Sequence, residues 1–495
     1  MSNLHIQKLI TNNLLLLNIF LFVYGYCYLI IPLKYYPLYK YNNSDPSDTM
    51  QSIVSTKLYS LIDIGTPQKQ IEIPLDFKSN DFYISDNPID IFEQDEINKK
   101  LYSDIKFYNS LFSSSKVPLE DIYFDGANFN FGEYSLESFY FNNKKYEMSF
   151  YIPLTLNSPE SGGIGLLLIS SSDATPDEKR TFLYILKEKL LINNYFWSIF
   201  FNQKEISNEE EGFILIGSLP DQVNSDLGYY KKDYFSNSIL ENVNAETSRK
   251  IILNKFQIDE ILVYEGNNKN KILYDFPVNG TDIKYIELNY HSRGVQAPYI
   301  LLKKYEEVFE EFISKNECFK SEFNYLGKKY FFYCKNDKEK IKQIKNIFPG
   351  FMILSKDLNK KFYLDADDLF YEKDEYVYCL LYFHYNDFIE KNLIMGKPFL
   401  KKYQFSFNPE SKYIYLYSKK DKEEIKKQIS LKLMLYLIFL TIVFVSLAFF
   451  LFFKFYLYDK IKKKKRANEL DDDYDYIEKK DNENDNKGNE IVINE

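Results

Sequence analysis

Residues 58–85 read LYSLIDIGTPQKQIEIPLDFKSNDFYIS. On either side of Gly65-Thr66-Pro67 apolar and polar side chains alternate with period two, the pattern of two strands joined by a tight turn. Gly and Pro suit that turn, and Ile71, Ile73 and Leu75 share one face of the second strand, which ends at an acid, Asp76. The same pattern continues over residues 57–417, where runs such as Phe82 to Ile84, Gly212 to Ile216 and Tyr413 to Tyr417 are set apart by Asn, Asp, Gly and Lys. Helical spacing is confined to Glu178 to Leu191, Leu301 to Ser314 and Asn336 to Ile347. A mostly-β chain of this length exceeds one sandwich and suits two β lobes with a cleft between them. No repeat of about 20 to 50 residues marks a propeller or solenoid.

Residues 64–76 also resemble the opening of the pepsin-like aspartic proteases. That family runs from an Ile-Gly-Thr-Pro-x-Gln turn along a strand to Asp-Thr-Gly-Ser. Here Ile64, Gly65, Thr66 and Pro67 match the turn, Gln68 and Gln70 follow, and Asp76 falls at the family's distance. Further landmarks come in the family's order. Ser161 to Leu166 is similar to the strand beneath the first catalytic loop, and Phe196 to Ile199 with Gly212 to Gly217 is similar to the hairpin before the lobe crossover. Leu393 to Tyr403 resembles the family's Ile-Leu-Gly-x-x-Phe-Leu-Arg-x-Tyr strand, and Phe407 to Tyr417 its last hairpin. The resemblance implies a bilobal pepsin-like fold, with an N-terminal β lobe over 57–225 and a C-terminal β lobe over 226–417. It also implies a disulfide between Cys334 and Cys379, which bracket Phe348-Pro349-Gly350-Phe351.

The family's chemistry needs two aspartates sharing a proton across the cleft, since two adjacent carboxylates cannot both ionise. Asp76 takes the first position, but Asp-Thr-Gly-Ser has become Asp76-Phe77-Lys78-Ser79. A lysine intrudes where glycine lets the two loops approach, and Phe77 replaces the threonine that bonds to its twin. In the second loop the best register sets Asn289-Tyr290-His291-Ser292-Arg293 over Asp-Thr-Gly-Thr-Ser, anchored by Pro298 and the helix from Leu301. Asn289 keeps the shape of the second aspartate but cannot deliver a proton. Lys78, Ser79, Tyr290 and Ser292 would line the cleft, with Tyr123 as the flap tyrosine, and Lys78 would pair with Asp76. The expectation is a catalytically impaired pseudoprotease that holds an extended peptide in its cleft by strand-like hydrogen bonds, which require neither acid. Two other readings stay open: an active endopeptidase pairing Asp76 with Glu287 or Asp282, and an adhesion scaffold that binds through its loops.

The chain has 495 residues, 45% hydrophobic and 27% charged, with net charge −9. That composition is globular, and its acidity disfavours nucleic acid as a partner. The 45 Tyr and 43 Phe are read as compositional bias rather than as a binding signature. Residues 1–26, with the apolar run 14–23, read as a signal peptide. Leu433 to Phe453 is uncharged over 21 residues, about 31 Å of helix, enough to span a bilayer. Lys454, Lys460, Lys462 to Lys465 and Arg466 follow it and mark the cytoplasmic side, so a single-pass type I protein with its bulk lumenal or extracellular is expected. The acidic, Asn-rich 454–495 segment is expected to be a disordered tail, within which Tyr474 to Ile477 has the form of an endocytic sorting signal. Asn42 and Asn279 lie in glycosylation sequons. The three histidines are far apart, and neither a metal nor a cofactor is expected; the protein is expected to be a monomer.

Overall fold

The computed structural model describes residues 27–38, 45–77, 82–85, 105–123, 131–153, 162–166, 181–202, 212–223, 230–236, 241–243, 250–252, 255–266, 268–277, 285–324, 327–356, 358–385, 392–411, 413–419 and 422–485. Contacts divide the chain into two units, 1–419 and 420–495.

The first unit is mostly β. It opens with β1 (Leu29–Pro37), a helix (Pro46–Val54), β2 (Thr56–Ile64), β3 (Lys69–Asp76), β4 (Phe82–Ile84) and β5 (Val117–Tyr123). β6 (Phe131–Phe141), β7 (Lys144–Pro153), β8 (Gly162–Gly165), a helix (Phe182–Glu188), β9 (Trp197–Phe201) and β10 (Gly212–Ile216) follow. Next come β11 (Tyr230–Ser236), β12 (Glu241–Val243), β13 (Lys250–Ile252), β14 (Lys255–Gln257), β15 (Glu260–Glu265), β16 (Asn268–Pro277), β17 (Tyr285–Leu288) and β18 (Val295–Pro298). After a helix (Leu302–Ser314) the chain forms β19 (Cys318–Asn324), β20 (Lys328–Lys335), a helix (Lys338–Ile347), β21 (Gly350–Ser355), β22 (Lys360–Leu364), β23 (Phe370–Lys373) and β24 (Tyr376–Cys379). It ends with β25 (Leu381–His384), β26 (Asn392–Met395), a helix (Lys397–Lys402), β27 (Gln404–Asn408) and β28 (Tyr413–Lys419).

Two sheets carry the site. A 13-stranded sheet runs β11-β28-β27-β9-β10-β1-β2-β3-β8-β4-β7-β6-β5, and a nine-stranded sheet contains the path β14-β17-β26-β18-β25-β20. The sheets do not divide at residue 226: β1 lies before residue 57 yet sits between β10 and β2, and β27 returns to pair with β9. Within the two sheets one arrangement occurs twice. In β2-β3-β8-β4-β7-β6 the successive pairings are antiparallel, parallel, antiparallel, parallel and antiparallel. In β14-β17-β26-β18-β25-β20 the senses come in the same sequence. Parallel neighbours joined through an antiparallel third strand require the chain to cross over rather than turn back. Recurrence of the whole pattern therefore marks an internal structural duplication that the sequence hides.

The core holds both sets together. Leu75, Ile164 and Phe82 of the first set and Leu288, Met395 and Val295 of the second belong to one buried cluster, together with Trp197, Tyr290 and Phe407.

Two expectations need correction here. The disulfide joins Cys318 to Cys334, not Cys334 to Cys379. Antiparallel pairing of β19 with β20 sets Cys318 directly opposite Cys334, whereas on β24 it is Val377 that faces Cys334. Cys379 is a buried free cysteine, and burial pushes its thiol up to about 12. The second correction concerns the C-terminal unit, one helix from Lys422 to Asp485. The stretch Leu433–Arg466 contains an 18-residue window of mean hydropathy 2.7 and is long and apolar enough to cross a membrane. Beyond it the helix continues through residues 467–485, where disorder was expected. No Gly or Pro interrupts the chain before Gly488, and extending an existing helix avoids the cost of nucleating one.

Candidate functional site

The two repeats fix how their strand ends correspond. Across three strands, Leu75 lies opposite Ile164 and Ile164 opposite Phe82; in the second repeat Leu288 lies opposite Met395 and Met395 opposite Val295. Phe82 follows Leu75 by the same chain interval as Val295 follows Leu288. The residue after each leucine is then Asp76 in one repeat and Asn289 in the other. Backbone bonds of opposite sense flank them: Asp76 O accepts from Leu166 N–H at 3.0 Å, whereas Asn289 donates its N–H to Met395 O at 2.9 Å. Both side chains are half-buried.

One residue further on, the repeats meet. The rings of Phe77 and Tyr290 lie 5.0 Å apart at 31°, and Phe77 is also 5.0 Å from the His291 ring. Trp197 stacks on Phe407 at 4.3 Å and touches both Phe77 and Tyr290, at 5.7 and 5.9 Å. The Trp197 Nε1–H donates to Leu166 O at 3.1 Å, tying this cluster to the bond that flanks Asp76. An aromatic contact thus stands at the paired positions next to the two strand ends. Tyr290 is 1% exposed and its hydroxyl has no hydrogen-bond partner among the described residues. Burial, reinforced by nearby Tyr35, holds that phenol well above its ordinary value, so it stays neutral.

The second loop is pinned from the first repeat's side. Asn289 Oδ1 accepts from His291 N–H at 3.0 Å, closing a local turn in which Ser292 N–H reaches Asn289 O at 3.3 Å. His291 Nδ1 accepts from Leu58 N–H of β2 at 3.1 Å, which places the proton of a neutral ring on Nε2, and the Thr56 hydroxyl donates to His291 O. Tyr35 of β1 donates its hydroxyl to Tyr290 O at 2.6 Å. Ser292 is buried; its Oγ accepts from Gly294 N–H at 3.1 Å, and its carbonyl accepts from Lys397 N–H at 2.8 Å. Gly396 passes directly beneath, where a Cβ would come within 2.2 Å of Gly294 O and 2.3 Å of Ser292 O. Only glycine allows that approach.

The sequence matches no protein-family model and no curated protein.

Of the residues singled out from sequence, Asp76, Asn289, Tyr290 and Ser292 fall on or beside the two corresponding strand ends. Tyr290 and Ser292 are packed inward, Tyr290 as part of the aromatic cluster. Lys78, Ser79, Asp282, Asn42, Asn279 and residues 1–26 lie outside the described residues, so the expected Lys78–Asp76 pair does too. Tyr123 is the last residue of β5, in the hairpin that β5 forms with β6; its side chain is outside the described set. Glu287, the alternative acid, occupies the position corresponding to Pro74 and pairs with Lys255 at 3.1 Å. Among the described residues no group of three or more His, Cys, Asp or Glu is placed to hold a metal.

Sequence reasoning missed Tyr35, Thr56, Trp197 and Phe407 as parts of this site. Trp197 carried a usable signal, as the chain's one tryptophan in an apolar strand. Tyr35 carried none, because its partner Tyr290 is 255 positions away.

Proposed function

We propose that residues up to 419 form a bilobal, pepsin-like unit with a broken catalytic dyad, which binds extended peptide without cleaving it. The observation that carries this reading is the paired rows Leu75·Ile164·Phe82 and Leu288·Met395·Val295, by which Asp76 and Asn289 hold equivalent positions in the two strand sets. An aspartic dyad needs one carboxyl to hold a proton and its partner to ionise, and an amide at Asn289 can do neither. Phe77 and Tyr290, in ring contact where the family carries a pair of threonines, support the same conclusion. Peptide binding in such a cleft rests on backbone hydrogen bonds to strand edges, which survive loss of the acids. Glu287 is a poor substitute acid, being two positions early and ion-paired with Lys255. The apolar helix within Lys422–Asp485 and the cationic run that follows Phe453 favour a single-pass anchor with the β unit on the lumenal or extracellular side.

The deciding experiment is digestion of a diverse peptide library by the full-length protein in detergent from acid to neutral pH, beside the Asp76→Ala variant, with binding of a statine-containing peptide mimic measured on both. The expected result is no cleavage by either protein and retained binding. Cleavage abolished by Asp76→Ala would replace this reading with an active endopeptidase. Absence of both cleavage and binding would leave the fold as a scaffold for other contacts.

A further inference from the structure

Behind the second loop lies a cavity of about 580 Å³, within the range of about 300 to 1,000 Å³ common for small-ligand sites. Its walls come from the helix Pro46–Val54, the loop at Arg293, the stretch around Phe370 and the helix Lys397–Lys402. Four cations line it, Arg293, Lys397, Lys401 and Lys402, against the acids Asp367, Asp368 and Glu372. Two of those acids are already engaged: Asp368 with Lys402 at 2.5 Å and Asp367 with Lys345 at 3.2 Å.

Arg293 and Lys397 converge on one ring. The guanidinium carbon of Arg293 lies 5.1 Å and the Lys397 Nζ 5.8 Å from the centroid of Tyr35. Lys397 is only 5% exposed, and its backbone N–H is fixed to Ser292 O at 2.8 Å. Lys397 is nearly buried and Arg293 half-buried, so water screens their charge less than at an open surface and an anion is attracted there more strongly. Arg293, Lys397 and Lys401 also engage other groups of the chain, so an arriving anion joins an existing network. Ile53, Leu380 and Pro398 give the same cavity an apolar side.

We propose that this cavity binds a small organic oxyanion, a carboxylate or phosphate monoester carrying an apolar group. Arg293, Lys397 and Lys401 take the oxyanion, and the apolar group rests against Ile53 and Leu380. Neither Asp76 nor Asn289 lines this cavity, so the proposal stands whether or not peptide binds at those strand ends.

Calorimetric titration of the full-length protein in detergent with phenyl phosphate, benzoate, inorganic phosphate and benzyl alcohol tests this. Phenyl phosphate or benzoate should bind, more tightly than inorganic phosphate and with an affinity that falls as salt rises, while benzyl alcohol should not. Whichever aromatic anion binds more tightly identifies the headgroup. Lys401→Glu should weaken the binding about tenfold or more, the worth of one charge-assisted hydrogen bond. Should that variant melt early, Lys401→Gln serves in its place with a smaller loss, and Glu372→Gln should tighten binding. No heat from either aromatic anion at millimolar concentration, or equal affinity in wild type and a folded Lys401 variant, overturns the proposal.

Discussion

The strand set β2-β3-β8-β4-β7-β6 and the set β14-β17-β26-β18-β25-β20 have the same neighbours and the same senses of pairing, yet they end in different chemistry. One presents Asp76 and Phe77; the other presents Asn289 and Tyr290 in a turn bolted to β1 and β2. The frame rests on backbone ladders and rows of buried apolar side chains, which tolerate exchange of one hydrophobic residue for another. A proton-sharing pair rests on two particular oxygen atoms. The frame can therefore outlast the chemistry, and the contact between Phe77 and Tyr290 joins the two repeats through packing.

If packing at that junction holds the repeats together, its loss should be the most damaging single change. Trp197 is 1% exposed and touches Phe77, Tyr290 and Phe407. Trp197→Ala should cost about 3 to 5 kcal/mol, read as a lowered urea midpoint. A loss under about 1 kcal/mol would mean that the repeats do not depend on this contact. The disulfide sharpens the comparison next, since it links β19 to β20 in the second repeat's sheet across a sequence separation of 16. Replacing both Cys318 and Cys334 with Ser should remove about 3 kcal/mol. Peptide mapping of the unreduced protein should recover Cys318 linked to Cys334 and leave Cys379 alkylated only after unfolding.

How much of this was legible in the sequence depended on how local each signal was. The turn at Gly65 to Pro67 and the alternation up to Leu75 became β2 and β3 as read, and the helical spacing from Leu301 became a helix at Leu302–Ser314. β1 went unread because its apolar residues continue those of the preceding leader-like run. The helix Pro46–Val54 also went unread, although its start carries a local signal, with Asp45 as a cap accepting from Ser47 N–H and Pro46 in the first turn. Leu393 to Tyr403 was taken as one strand, yet a helix begins at Lys397, with Pro398 in its first turn and lysines in its last. The pairing of Asp76 with Asn289 came only from the register that the family resemblance implied, since nothing in the spacing of the residues themselves announces a repeat. The cluster that joins them was not legible, because Phe77, Trp197, Tyr290 and Phe407 come from four distant segments and nothing local ties one to another.

The repeats also differ in the charge they bury. On β6 it is Glu137, whose carboxylate accepts from Tyr108 Oη–H at 2.6 Å, from Ser138 N–H at 2.7 Å and from the Ser115 hydroxyl. On the corresponding strand β20 it is Lys329, which donates to Gln296 Oε1 at 2.6 Å. Burial alone would raise the Glu137 pKa, but hydrogen bonds from Ser113, Ser115, Tyr108 and Ser138 outweigh it and hold it below the ordinary value. A folded-state pKa below the unfolded one gives stability that is present above the unfolded value and fades as pH falls through the folded one. Glu137→Gln should therefore lower stability at neutral pH, where the bonded carboxylate contributes, and flatten the acid side of the stability curve, so that the variant and the wild type converge as pH falls below about 4.5. Thermal melts of both proteins between acid and neutral pH measure this. An unchanged acid limb would place the acid sensitivity elsewhere.

The smallest expected effect separates packing from hydrogen bonding at the junction itself. Tyr290 and Phe77 meet as rings, and the hydroxyl of Tyr290 is buried with no hydrogen-bond partner among the described residues. A buried hydroxyl without a partner costs free energy that its removal recovers, while the ring contacts stay. Tyr290→Phe should accordingly be neutral or stabilising by up to about 1 kcal/mol, whereas Tyr290→Thr should destabilise by leaving a void against Phe77 and Trp197. The two substitutions, read by the same urea titration, pull in opposite directions only if the ring holds the repeats together. Were Tyr290→Phe clearly destabilising, the hydroxyl would have to be bonded, and the junction would be a polar one after all.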